Sequence, residues 1–188
     1  MTPRSVWIAG DLSMDRVHEA LASFGDSPVI VKDFEKSRNH EWLEACFVPS
    51  ASDRLAAERV VRRFLELQGD DLEGGLVFRQ LISFRPIGTH LRSDLTLSEE
   101  YRIFWLDGSP VFWSPYWPEG SYPTTRPPIE QFARVAAKVE SRFFAMDLAE
   151  RSDGEWLIME IGDAQVTGLP RVGDSEQFYE TLRQQRPD

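Results

Sequence analysis

The chain has 188 residues, 41% of them hydrophobic and 28% charged, with a formal net charge of −10. This is the composition of a folded chain able to bury a sizeable core, as one ordinary domain or two closely associated lobes. The acidic balance argues against a nucleic-acid partner, no apolar run approaches the ~20 residues of a membrane span, and the single Cys46 cannot close an internal disulfide, so a cytoplasmic protein is expected.

The start, MTPRSVWIAGDL, lacks a signal-peptide core, and His18, His40 and His90 have no metal-ligand spacing. Neither a Gly-Lys-Ser/Thr phosphate loop nor GxGxxG occurs.

In chain order, residues 1–12 carry no clear element, and residues 1–27 form an N-terminal segment with one helix, Met14 to Phe24, capped by Ser13 and stopped at Gly25. Pro28 opens a strand, PVIVKDF, whose alternation sets Val29, Val31 and Asp33 on one face and Ile30, Lys32 and Phe34 on the other. Lys32 thus interrupts an apolar strand. Burying an ammonium is costly without an anion, so Lys32 reads as an anion ligand or as a lysine snorkelling from a sheet edge.

Lys36 and Arg38 follow in a polar turn, and Trp42 to Val48 is a strand or a short helix-to-strand passage. Ser52 or Asp53 caps an amphipathic helix from Asp53 to Gln68, with Leu55, Val60, Val61, Phe64, Leu65 and Leu67 inward. GLVFRQLISFRP gives a strand from Leu76 to Phe84 with Arg79 inside it, and residues 86–97 form a loop containing His90, Arg92 and Asp94. EEYRIFWLDG sets Arg102 between Tyr101 and Ile103, and Asp107-Gly108 turns this strand into SPVFWS.

SPYWPEGSYPTTRPP is then a loop of roughly 14 residues, a length typical of lids and contact surfaces, although a connector whose aromatics cover the sheet has the same composition. Pro127 or Pro128 starts a helix, Ile129 to Arg142, with Phe132, Val135, Ala136 and Val139 inward, and a last helix spans Asp174 to Gln185.

Between those helices, Phe143 to Ala149 and Glu155 to Ile161 form a hairpin about a two-residue Asp153-Gly154 turn. That register puts Ser152 opposite Glu155 and Asp147 opposite Glu160. Like charges across a ladder need a proton, a base or a hard cation between them, and Asp163 follows where the strand gives way to a loop. Three carboxylates at one strand end read as a magnesium site, or as ordinary solvated acids.

The ordered set of Lys32, Arg79 and Arg102 followed by Asp147, Glu160 and Asp163 supplies both halves of what a metal–nucleoside triphosphate requires. In VKDFEKS (31–37), GLVFRQ (75–80), EEYRIFWLDG (99–108) and above all FFAMDLAERSDGEWLIMEIGDAQVTGL (143–169), the sequence resembles the ATP-grasp family, in the clade marked by a lysine and two arginines. The resemblance implies an α+β fold in which two lobes with mainly antiparallel sheets clasp ATP. The ATP-grasp domain would span 28–188, with the lobe boundary near 81–97.

It also implies roles. Lys32 and Lys36 meet phosphate, Arg79 ends the strand leading to the interlobe hinge, Gln80 and Leu81 offer backbone groups to adenine, and Glu100 precedes the catalytic Arg102 near the terminal phosphate. Asp147 and Glu160 match the Mg2+ ligands. Where the family commonly has Glu-x-Asn, this chain has Glu160-Ile161-Gly162, with Asp163 as a substitute ligand. The implied activity joins a small-molecule or peptide carboxylate to an amine through an acylphosphate. Only about 27 residues precede the first matching strand, so a partner domain or protein is expected to supply the usual front domain. The competing readings are a catalytically silent nucleotide-binding module and an interaction protein using the aromatic loop 113–126.

Overall fold

The computed structural model describes residues 2–38, 41–90, 96–123 and 126–185. These divide into two compact units, one spanning Pro3–Ile82 and one beginning at Ser83.

The first unit contains β1 (Ser5–Ala9), α1 (Met14–Ala22), β2 (Val29–Lys32), β3 (Phe47–Val48), α2 (Arg54–Gln68) and β4 (Gly75–Gln80). The strands form an antiparallel sheet in the order β1-β4-β2-β3. Alternation in β2 buries Val29 and Val31, which join Ile8, Val48, Leu76 and Phe78 against Val17, Leu21, Val60, Val61 and Phe64 of the helices. One sheet face is therefore core, and Ile30, Lys32, Val77 and Arg79 lie on the other, only partly buried.

β1 was not expected. Five residues with an outward Trp7, 67% exposed, carry too little pattern, and their partner lies some 70 residues along the chain. The close approach of β1 to β4 rests on Gly75, where a Cβ would meet the Ile8 carbonyl oxygen at 2.2 Å.

The Asp53 carboxylate caps α2 by accepting the Ala56 N–H at 3.0 Å. Leu55, expected inward, is 83% exposed because it falls outside the stripe of Ala56, Ala57, Val60, Val61, Phe64 and Gln68 that faces the sheet. The 42–48 passage is a π-helical turn, Trp42–Cys46, running into β3.

The second unit adds β5 (Pro86–Thr89), β6 (Thr96–Ser98), β7 (Glu100–Leu106), β8 (Ser109–Pro115), α3 (Ala133–Ala136), β9 (Phe143–Glu150), β10 (Trp156–Asp163) and α4 (Ser175–Gln184). Its main sheet is antiparallel in the order β10-β9-β7-β8. One face packs Tyr101, Ile103, Trp105, Phe144, Met146 and Leu148 against Ile129, Phe132 and Ala136. The other sets Phe104, Phe112 and Ala145 against Ala164 and Phe178.

Asp107 (φ 47°) and Gly108 (φ 78°) make the β7–β8 turn with two positive φ angles, as that dipeptide predicts. Three expectations need correction. The segment 86–97 is not simply a loop: β5 and β6 pair, with Pro86 at the first strand position and Gly88 at a register shift, so residues read as breakers mark a bulged hairpin instead. Arg92 and Asp94 lie outside the described residues, as does His40. The 76–84 strand ends at Gln80, and Phe84 makes only an isolated bridge to Arg151. The 129–142 helix is a 3-10 turn, Ile129–Phe132, followed by the short α3, because the exit tightens to bonds from Lys138 N–H to Val135 O and from Val139 N–H to Ala136 O before β9 begins.

The aromatic loop after β8 folds back on the sheet. Tyr122 donates its hydroxyl to the Glu100 carbonyl at 2.8 Å, accepts the Trp117 N–H at 2.9 Å, and packs edge-on to Tyr101.

Candidate functional site

The hairpin of β9 and β10 pairs Asp147 with Glu160, but by a different route from a two-residue turn. Gly154 alone among the turn residues has positive φ (88°), and its N–H donates to Arg151 O while Arg151 N–H donates to Glu155 O, which defines a three-residue loop. That loop sets Glu150 opposite Trp156 and Leu148 opposite Ile158, one step out of the expected register. A bulge between Ile158 and Glu160 inserts one residue and restores it.

β7 runs beside β9 with Arg102 directly opposite Asp147, and β8 puts Ser114 opposite Arg102. Ser114, Arg102, Asp147 and Glu160 therefore form one polar row across four strands, about 14 Å long at ordinary strand spacing. The neighbouring row on the same face is apolar, running through Phe112, Phe104 and Ala145 to Gly162.

Arg102 grips Asp147 bidentately, Nε to Oδ1 at 2.8 Å and Nη2 to Oδ2 at 2.7 Å. Its Nη1 donates to the Gly168 carbonyl at 2.9 Å, and the Tyr116 ring lies 5.0 Å from the guanidinium carbon. Four contacts leave the guanidinium little freedom. Burial pushes the Asp147 carboxyl above its ordinary range; Arg102 draws it down and Glu160 adds a further upward push. Glu100, on the same face of β7 as Arg102, is pushed up to about 7 by burial and by the charge of Asp147, while the Ser98 hydroxyl donates to it at 3.2 Å.

Asp163 stands differently. It pairs with Phe144, so its strand parity is that of the opposite face from Asp147 and Glu160, and its carboxylate accepts the Gln165 N–H at 2.8 Å in the turn that leaves β10. The structure brings Asp147 and Glu160 together and does not bring Asp163 to them. Among the described residues no group of three His, Cys, Asp or Glu side chains is disposed to hold a metal. A Cβ added at Gly162 would lie 3.3 Å from the Thr167 hydroxyl, which occupies the space beside it.

In the first unit, Arg79 lies between Ser5 and Ile30 on the sheet face away from the helices, and its Nε donates to Ser5 Oγ at 3.3 Å. Lys32 is opposite Val77 and bridges to Ser37. Lys36 is exposed, with its N–H bonded to the Asp33 carboxylate. The Gln80 N–H donates to Arg4 O at 2.8 Å and the Leu81 N–H to Pro28 O at 2.9 Å, so the chain itself engages both donors expected to face adenine. The open cleft of about 670 Å³ lined by Leu12, Met14, Arg62 and Leu65 contains none of these residues.

Sequence reasoning missed Ser114, Tyr116, the Gly168 carbonyl and Asp33. Only Asp33 left a signal, as an acid on the apolar face of a strand.

A central antiparallel sheet bearing an arginine–carboxylate row, together with a second sheet presenting Lys32 and Arg79, is the arrangement of ATP-grasp proteins, and the comparisons agree. The model for ATP-grasp domains of the third family in the clade named for two arginines and a lysine matches residues 23–182, and the chain belongs to that family. Similar solved structures include a RimK domain protein ATP-grasp from Sphaerobacter thermophilus (18% identity, TM-score 0.59, 97% of this chain and 60% of that one). Others are the ATP-grasp ligase PsnB with precursor peptide PsnA2 and AMPPNP (16%, 0.53, 97% and 53%) and the D-cycloserine synthetase DcsG (13%, 0.53, 97% and 64%). The chain thus spans between half and two thirds of the length of these proteins. No curated protein matches the sequence. No helix among the described residues is long and apolar enough to cross a membrane.

Proposed function

We propose that the chain binds ATP with Mg2+ and acts as an ATP-dependent carboxylate–amine ligase through an acylphosphate. The observation that carries this reading is the Arg102–Asp147–Glu160 row in a chain of the ATP-grasp family. The donor set fits Mg2+, which is held by one or two carboxylates plus phosphate and water oxygens and does not require an all-protein cage. Asp147 and Glu160 would hold the ion, and Asp163 shapes the turn beside them. When bound, the ion offsets charge on the transferring phosphoryl group.

The protein's own share is electrostatic. Arg102, fixed by Asp147, Gly168 and Tyr116, presents a positive charge that need not reorganise during reaction. Lys32, Lys36 and Arg79 supply the cations for the phosphates. With the Gln80 and Leu81 N–H groups engaged, adenine is read by the remaining acceptors of that stretch. Two of the similar structures concern a precursor peptide and D-cycloserine synthesis, which supports a peptide or small-molecule acceptor, with the partner domain supplied by other polypeptide. A cytoplasmic setting suits a buried, unpaired Cys46 whose thiol is pushed up to about 11 by burial.

The second reading, a silent nucleotide-binding module, is favoured by Gly162, which offers no side-chain ligand where the family commonly has Asn. A thermal-shift titration with Mg-ATP, followed by an ADP-release assay across carboxylate and amine pairs, separates the two. Binding at 100 times Kd stabilises by about 2.7 kcal/mol, and no shift under saturating Mg-ATP refutes both readings. Binding without ADP release across the panel favours the silent module.

A further inference from the structure

The turn joining Lys32 to Lys36 is built around a buried charge. Asp33 is fully buried (0% exposed), and a carboxylate there is tolerated only when its oxygens are satisfied. Its Oδ1 accepts the N–H of Glu35 at 2.8 Å and the N–H of Lys36, and its Oδ2 accepts Nε2 of Gln68 at 2.6 Å. Gln68 is itself 4% exposed and ends α2. The Asp33 N–H donates to Lys36 O at 3.0 Å, the Phe34 N–H to Glu73 O at 3.2 Å, and Lys32 bridges to Ser37. Burial alone would raise the Asp33 carboxyl, yet the bonds from Lys36, Glu35 and Gln68 hold it below the ordinary range, so it is ionised at neutral pH.

A turn that needed only to close could do so through its backbone. Here an ionised side chain fastens the Lys36 amide from beneath and ties it to the last residue of a helix. We infer that Asp33 is a positioning residue: it holds the 33–37 turn, and with it Lys36, in the conformation that receives nucleotide phosphate before any nucleotide arrives. The inference rests on the nucleotide reading above. Its energetic logic is preorganisation, because a turn already ordered loses less entropy on binding.

The charge on Asp33 makes the idea testable. A negative group beside two phosphate-binding lysines weakens phosphate binding by electrostatics alone, so removing it should tighten ATP if position were irrelevant. Positioning predicts the reverse. In Asp33→Asn the new amide cannot accept from Gln68 at both oxygens, and Mg-ATP affinity should fall roughly 3- to 30-fold, the cost of ordering a turn and one long side chain. Combining it with Gln68→Glu lets the amide donate to the new carboxylate while still accepting from Glu35 and Lys36, and should restore most of the affinity. In a Lys36→Gln background the Asp33→Asn effect should largely vanish, since both act through one side chain.

Isothermal titration calorimetry with Mg-ATP on the full chain reads all four proteins, and amide hydrogen exchange at Glu35 and Lys36 reads the turn without nucleotide. If the unaltered protein binds no Mg-ATP, the nucleotide reading falls and this inference with it. Binding by the unaltered protein with unchanged or tighter binding by Asp33→Asn overturns the inference alone. An equal loss with and without Lys36 also overturns it, by showing a general structural effect. Should Asp33→Asn fail to fold, Gln68→Leu removes one of the three bonds and should give a smaller loss of affinity with faster exchange at Lys36; unchanged affinity would overturn the inference.

Discussion

Replacing Arg102 with Met removes the charge on which Asp147 depends. The Asp147 side chain is 4% exposed and that of Arg102 14%, so solvent compensates little, and the change deletes two charge-assisted bonds of 2.7 and 2.8 Å. Stranding a buried carboxylate costs about 3–5 kcal/mol. The cost has a ceiling, because Asp147 can take a proton instead. Protonating a carboxyl of ordinary pKa 3.8 at pH 7 costs about 4 kcal/mol, falling by about 1.4 kcal/mol per pH unit to roughly 1.6 at pH 5.

The sign follows from linkage. Without Arg102 the folded-state pKa of Asp147 rises further above its unfolded value, so the variant gains stability as pH falls and the gap to the unaltered protein narrows. Urea unfolding followed by fluorescence of buried Trp105, in the same unit, should show a loss of about 3–4 kcal/mol at pH 7 and about half that at pH 5. Pairing the change with Asp147→Leu should recover most of it, since apolar groups of similar volume often replace a buried pair without loss. A loss below about 1 kcal/mol at pH 7, or one of equal size at both pH values, would refute the reasoning.

Glu160→Gln should lower the magnesium-dependent part of ATP affinity at least about tenfold by calorimetry, whereas Asp163→Ala should leave it unchanged and cost only about 1 kcal/mol in urea unfolding through the lost Gln165 bond. Gly162→Asn puts an amide on the same strand face as Glu160; the Thr167 hydroxyl must give by a few tenths of an ångström, so a stability loss under about 1 kcal/mol and tighter magnesium-dependent binding are expected, and unchanged affinity would show that Gly162 does not limit the site. Glu100, raised from 4.5 to about 7, favours its neutral form in the fold, so its stability contribution is full below pH 4.5 and is lost as pH rises through about 7. Glu100→Gln should therefore narrow the difference in melting temperature between pH 5 and pH 8, and an unchanged difference would count against burial of that charge.

Much of the architecture is local enough to read from the chain. PVIVKDF and EYRIFWL alternate cleanly and are strands, and Asp107-Gly108 adopts the two positive φ angles its chemistry favours. The α+β class and the ATP-grasp resemblance both stand, because ordered motifs survive sequence divergence that leaves similar structures only 13–18% identical. What escaped is long-range. β1 exists because β4 offers it a partner, α3 stops early because β9 must begin, and Leu55 sits one step outside a stripe set by the sheet beneath it. In the site, Arg102, Asp147 and Glu160 could be placed by strand counting, whereas Tyr116 reaches Arg102 from a loop and Gln68 reaches Asp33 from a helix end, contacts that no local pattern encodes.

The hairpin that carries Asp147 and Glu160 works like a vernier with two scales offset against each other. Its three-residue turn displaces one strand by a single step, and the bulge at Met159 displaces it back. Loss of either feature alone would slide Glu160 to the wrong parity and turn its carboxylate to the hydrophobic face. Turn length and bulge can therefore change during evolution only together. A relative with a two-residue turn here should lack the bulge, and any insertion in the turn should be accompanied by a second change five or six residues downstream.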